Sequence, residues 1–256
     1  MEMLNNHCGV TRDARGVVHV AICNAGSLNI LGSPVTDAVR EGLQKLATDR
    51  SIRVVVLRGQ SEKSMIGGAD IKEMAKLDQK SAEAFISRLR DLCEAVRQFP
   101  APVIARMPGW CLGGGLEVAA ACDFRIAGYD AKFGMPEVRV GIPSVIHAAL
   151  LPRLIGWGRA RWLIMTAETI DAATALAWGL VDVVAPEDGL DVAIEKLVEA
   201  LLKAGPEALR AQKALLRQWE ELPLTESVNL SIGVFGRTFL TDEPNRLMQA
   251  FIDRKR

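Results

Sequence analysis

The sequence lacks any imbalance of charge: 31 basic side chains stand against 31 acidic ones. Net charge therefore gives no pull toward nucleic acid or anionic lipid, and an anionic ligand has to be held by local groups. It also lacks paired cysteine spacings. Cys8, Cys23, Cys93, Cys111 and Cys122 are odd in number, scattered, and never in C-x-x-C. That argues against a disulfide scaffold and a zinc site and for a reducing compartment, read here as the cytoplasm, with no metal expected. No long apolar run is present. Residues 16–36 are free of Asp, Glu, Lys and Arg, but Asn24, Gly26, Ser27, Asn29, Gly32 and Pro34 interrupt them, well short of the roughly 20 apolar residues of a membrane helix. The start, with Glu2 and Asp13, fits neither a secretory leader nor an acid-poor transit peptide. Absent too are internal repeats, Gly/Ser linkers, a G-x-G-x-x-G dinucleotide fingerprint and a P-loop, so phosphate transfer finds no support.

What remains is ordinary globular composition, 49% hydrophobic and 24% charged over 256 residues, enough for a single compact unit. VVHVAIC at 17–23 and RVVVLR at 53–58 have the β-branched, apolar composition of buried strands. Between them Pro34 opens a segment whose Val35, Val39, Leu43 and Leu46 fall on one helical face. A loop at 59–68 leads to ADIKEM. Residues 81–99 predict an amphipathic helix ended by Pro100 and Pro102, with short strands at 103–105 and 123–127 on either side of an alanine-rich helix. This alternation is that of an α/β core with crossover connections. From 148 onward the pattern is mostly helical, at 187–204, 206–221 and from 224 to the end, with one short strand at 181–184. The first residues, including His7, predict a frayed start, and His19 a structural role in a strand.

Chemistry gathers at two glycine-rich turns and two carboxylates. Gly67-Gly68-Ala69-Asp70 follows the second strand by a loop, and Gly113-Gly114-Gly115 follows the third and opens a helix. Glycine lets a ligand approach the backbone, and the first turn of a helix leaves N–H groups unpaired. Either turn also fits tight strand-to-helix packing. Glu117 lies just past the triplet before Val-Ala-Ala-Ala-Cys, where a buried carboxylate is costly unless partnered or used, although a first-turn Glu is also favoured by the helix dipole. Glu137 lies in a loop between Pro136 and Pro143. Two carboxylates in different environments can hold different protonation states and supply an acid and a base. Trp110, before the triplet, fits a pocket wall or core packing. His147, shortly after Glu137, has either a functional or a bland reading.

IGGADIKEM at 66–74, GWCLGGGLEVAAACD at 109–123 and FGMPEVRVGIP at 133–143, in this order, resemble the crotonase superfamily, specifically its enoyl-CoA hydratase branch. AETIDAATALAWGLVDVV at 167–184 and AFIDRKR at 250–256 extend the resemblance essentially end to end. It implies an α/β crotonase (ClpP-like) fold of repeated ββα turns, with a catalytic core over 1–190 and a helical trimerisation region over 191–256 that is not an independent domain. It implies an acyl-CoA thioester substrate, a homotrimer or dimer of trimers, and no cofactor, the CoA being part of the substrate. No nucleic-acid or membrane partner is expected.

By the same resemblance the backbone N–H groups of Ala69 and Gly114 form an oxyanion hole. Glu117 helps activate water for attack at Cβ, and Glu137 delivers a proton to Cα. Gly67, Ala69, Asp70, Ile71 and Lys72 would embrace the CoA, and Phe251 and Arg254 would reach a neighbouring subunit's CoA, while the terminal Arg-Lys-Arg also fits a solvated basic end. Many hydratases carry a glycine-rich turn ending in T-Q-R-L where this chain has GIPSVIHAALLPRL at 141–154, apparently one residue shorter. Ser144, Val145, Ile146 and His147 are therefore expected, with Trp110, as pocket wall. A basic residue common before the first-strand A-L-N motif is replaced by Gly26, ahead of Ser27-Leu28-Asn29. The reading is an enoyl-CoA hydratase, a hydro-lyase. Its competitors are an enoyl-CoA isomerase or another reaction through a thioester enolate, and a non-catalytic acyl-CoA- or RNA-binding homologue.

Overall fold

The computed structural model describes residues 1–186 and 188–253. The chain opens with β1 (Glu2–Asn5) and β2 (Cys8–Arg12), then β3 (Val17–Ile22) and α1 (Ser33–Ala47). There follow β4 (Val54–Gly59), β5 (Ser64–Ile66), α2 (Ile71–Met74) and α3 (Gln79–Arg97). Next come β6 (Val103–Met107), β7 (Trp110–Leu112), α4 (Gly114–Ala121), β8 (Phe124–Ala127) and β9 (Lys132–Gly134). After two 3-10 turns, Glu137–Val140 and Ile146–Leu150, the chain continues through α5 (Leu151–Thr166), β10 (Ile170–Asp171), α6 (Ala172–Trp178) and β11 (Val183–Val184). It closes with α7 (Leu190–Leu202), α8 (Pro206–Glu221), α9 (Leu224–Thr238) and α10 (Glu243–Asp253).

From β4 to β9 consecutive strands alternate between two sheets. The larger runs β1-β2-β3-β4-β6-β8-β11 and the smaller β10-β9-β7-β5. Each of the pairs β4/β5, β6/β7 and β8/β9 therefore places its first strand in the large sheet and its second in the small one before the chain turns into helix. This is the repeated ββα architecture. From β3 to β11 the large sheet is parallel, with β1 and β2 added antiparallel at its edge. Strands of a parallel sheet buried on both faces read as continuous apolar runs, as Val54–Leu57 of β4 and Val103–Ala105 of β6 do. Alternation within β4 serves two layers: Val55 and Leu57 join the core beneath α1 and α3, while Val54 and Val56 join a second cluster with Leu190, Ile194 and Val198 of α7. The 190/191 boundary in the sequence thus falls at the first turn of a helix that covers the sheet. On α1, Val35, Val39, Leu43 and Leu46 are all buried, and each full burial of this kind stabilises by about 1.5–3 kcal/mol.

Three sequence expectations are corrected. The start is not frayed, because β1 and β2 pair as a hairpin and β2 pairs with β3. His7 sits in the connecting turn with Nδ1 3.1 Å from the Cys23 carbonyl. The small sheet was not foreseen, since β5, β7 and β9 have three residues each and take their partners from distant chain. The strand expected at 181–184 shrinks to Val183–Val184, and the region read as helical from 148 also holds β10.

Candidate active site

The small sheet sets β5, β7 and β9 side by side and parallel, so the segments leaving their C-terminal ends converge. These are Gly67–Gly68–Ala69 after β5, Gly113–Gly114 after β7, and Pro136–Glu137 after β9. All line one cavity of about 680 Å³, whose far wall is Phe85, Ile86 and Leu89 of α3. Glycine is required at two points here. Gly113 has φ +51, and a Cβ on it would lie 2.5 Å from Glu137 Oε1. A Cβ on Gly115 would collide with the Ile66 carbonyl, so α4 approaches β5 this closely only without a side chain.

Each turn contributes one of the expected amide donors, Ala69 and Gly114, to the cavity lining. The bridge between Leu31 and Ala69 is made by Leu31 N–H donating to the Gly68 carbonyl at 2.9 Å and Asp70 N–H donating to the Leu31 carbonyl at 3.1 Å. Ala69's own N–H takes no part in that bridge. Asp70 then caps α2, its carboxylate accepting from the N–H groups of Lys72 and Glu73. Gly114 is the first residue of α4, and its N–H lies outside the helical ladder. Its position is set by Leu89, whose Cδ2 occupies the space where a Cβ would be.

Glu117 is 3% exposed. Burial pushes its carboxyl up to about 8, the Ala148 N–H donating to Oε1 at 2.9 Å pulls it down, and the charge of Glu137 adds to the rise. Glu137 opens a 3-10 turn and is half-buried. Burial raises it above its ordinary value, opposed by its own N–H and by the Ser144 hydroxyl donating to Oε2 at 2.8 Å. Two desolvated like charges sharing a cavity disfavour double ionisation. In the ligand-free site deeper burial keeps Glu117 protonated near neutrality.

The remaining expected site residues divide. Gly67, Ala69, Ile71 and Val145 line the cavity with Glu117 and Glu137. Ser144 reaches it through Glu137. Asp70 serves as the cap of α2, and Lys72 is an exposed residue of that helix. Phe251 is exposed on α10 and is not part of this cavity, and Arg254 lies outside the described residues. Trp110, Ile146 and His147 do not form the expected wall. Trp110 starts β7, at the end opposite the cavity, and is 42% exposed. Ile146, at φ +41, turns the chain so that His147 enters the interior against α3 instead of the cavity. Residues missed from sequence are Phe85, Ile86 and Leu89. Their signal was the apolar face of the amphipathic 81–99 helix, but periodicity does not distinguish a core-facing from a cavity-facing stripe.

The chain matches, over residues 12–256, the family described as enoyl-CoA hydratase/isomerase. A short-chain-enoyl-CoA hydratase of Clostridium acetobutylicum is 33% identical over 256 residues, spanning 99% of this chain and 97% of the relative. A crotonyl-CoA hydratase of Syntrophomonas wolfei is 32% identical over 231 residues, spanning 90% and 89%. The solved structure of an enoyl-CoA hydratase from Bacillus anthracis superposes with a TM-score of 0.91 at 31% identity, covering 97% of this chain and 96% of that one.

Proposed function

The chain belongs to the enoyl-CoA hydratase/isomerase family, and from that premise we propose that it adds water, syn and reversibly, to a trans-2-enoyl-CoA to give a 3-hydroxyacyl-CoA. The observation that carries the reading is one apolar cavity lined by two desolvated carboxyls, Glu117 and Glu137, and by Ala69 and Gly114, the residues whose amides form the oxyanion hole in this reading. The thioester oxygen accepts from those two N–H groups. As water attacks Cβ, negative charge builds on that oxygen, and preorganised donors in a dry site stabilise it, each contributing on the order of 3 kcal/mol.

Water sits between the carboxyls. In hydration Glu117, ionised, takes a proton from water while Glu137, protonated, delivers one to Cα, so the pair ends with the single proton it began with. Microscopic reversibility exchanges the roles: dehydration starts with the proton on Glu117, the arrangement that burial favours in the ligand-free site. The proton then has to pass to Glu137 before hydration begins. Both arrangements carry the same total charge, so forward and reverse reactions share one pH profile. The chemistry asks for no metal or redox cofactor, because every proton moved belongs to water or to the pair.

CoA contacts belong to Gly67, Ala69 and Ile71 at the cavity mouth, with Asp70 and Lys72 beside them. Assembly as a homotrimer or dimer of trimers is part of the reading. It is supported by α9, where Leu224, Val228, Ile232 and Phe235 recur at helical spacing on an exposed apolar face. No helix among the described residues is long and apolar enough to cross a membrane, and the free cysteines fit a cytoplasmic setting. The test mixes purified protein with a panel of enoyl-CoAs and follows enoyl absorbance and product mass. Loss of absorbance with a gain of one water is expected. An unchanged mass with a moved double bond would replace the reading with isomerisation, and binding without turnover would replace it with a binding module.

A further inference from the structure

His147 leaves the cavity but not the site's neighbourhood. It is 6% exposed, and its Nε2 lies 2.7 Å from Glu94 Oε1 on α3. A carboxylate on Nε2 fixes the ring proton there and leaves Nδ1 a buried lone pair without a partner among the described residues. The groups facing the ring are Glu94 and Arg97 from α3 and Arg217 from α8. Burial holds the imidazole below the ordinary histidine value, against the upward pull of Glu94. Although its own burial works the other way, the His147 hydrogen bond holds Glu94 below the usual range, and Gln98 Nε2 donates to its second oxygen at 3.0 Å. A neutral ring thus donates to an ionised carboxylate, a charge-assisted bond buried at its imidazole end.

The chain on either side of His147 gives that bond its consequence. Before it, Ile146 has φ +41, a region that β-branched residues rarely occupy and that reverts when nothing holds it. After it, the Ala148 N–H is shared between Glu117 Oε1 at 2.9 Å and, across the strained residue, the Val145 carbonyl at 3.0 Å, so the same turn that Ile146 strains sets where this amide points. Upstream, 138–143 and 145 are exposed, so the approach to the turn is not buried. We propose that Glu94 and His147 are positioning residues for Glu117: their hydrogen bond pins the strained turn to α3 and so aims the Ala148 amide at the Glu117 carboxylate. This rests on the reading that Glu117 works in hydration. Without the pin the turn relaxes at Ile146, the amide leaves Glu117, and the carboxyl loses the donor that favours its ionised form.

Glu94→Ala tests this, since the Glu94 side chain is 37% exposed and its truncation leaves no large cavity; His147→Asn repeats the test from the buried side. kcat is expected to fall about 10-fold, the scale of one charge-assisted hydrogen bond, with KM within about twofold. Infrared titration of the buried carboxyl in ligand-free protein, assigned with Glu117→Gln, is expected to move to higher pH. Glu94→Gln, which keeps an oxygen toward Nε2–H, restores most of both. The double variant Glu94→Ala/His147→Asn is no worse than either single one. A wild-type titration in folded Glu94→Ala overturns the pin whatever the activity. A wild-type protein that hydrates no enoyl-CoA overturns the hydratase reading instead, and the titration still decides the pin.

Discussion

The two stretches that supply the carboxyls hold them by opposite means. Around Glu117 everything is enclosed: all eight residues of α4 are buried, and neighbouring atoms exclude a side chain at Gly113, Gly114 and Gly115. Around Glu137 little is enclosed, since residues 138–143 are all exposed, and the carboxylate is steadied by one hydroxyl from seven residues on. Deep burial in the first place, and shallower burial opposed by local hydrogen bonding in the second, give two identical side chains different affinities for a proton. In the hydratase reading such a pair carries one proton in either of two arrangements, as a reversible addition of water requires.

Removing either member is the largest expected effect. Glu117→Gln and Glu137→Gln should each lower kcat by about 10²–10⁴, the range typical of general acid–base groups, while CoA binding persists. The double variant should be little worse than either single one, because both act on one water. Steady-state kinetics with isothermal titration of a CoA thioester checks this, and wild-type turnover in either variant removes that residue from the pair.

Smaller, and specific to the enclosed side, is an effect on stability. An unfolded glutamate releases its proton near its ordinary value, whereas folded Glu117 keeps it until about 8. Between those values the native state binds more protons, so wild-type stability falls as pH rises toward 8. Glu117→Gln carries no such penalty. Its melting temperature relative to wild type should therefore climb by several degrees from pH 5 to pH 8, and a difference flat with pH would contradict the burial argument.

The smallest effect probes the open side. Ser144→Ala removes a donor that favours ionised Glu137, so the acid limb of kcat/KM should move to higher pH. An acid limb at its wild-type position would mean that the hydroxyl does not steady the carboxylate.

Legibility followed the same division. β3, β4, β6 and β8 were visible because strands buried on both faces are predominantly apolar with β-branched residues among them, and α1 and α3 because their apolar residues keep helical spacing. β5, β7 and β9 were not visible, since three residues hold no period. β1 and β2 were missed because an edge hairpin is only partly buried. In the site, Glu117 was marked by sitting after three glycines in an alanine-rich helix. Glu137 was marked by resemblance alone, its loop being locally unremarkable. The inward course of His147 was hidden, because it depends on one backbone angle at Ile146.

The sequence by itself determined what hydrophobic pattern and backbone chemistry dictate locally: an α/β core, the glycine turns, a carboxyl placed where burial is costly, and a family likeness. Only the tertiary structure decided which of these meet. Three short strands paired across the chain bring the turns after β5, β7 and β9 to one cavity, and the packing of α3 and of residues 144–148 around it sets how tightly each carboxyl holds its proton. Proton affinity depends on the dielectric and donors around a group, and those come from residues far away in the chain.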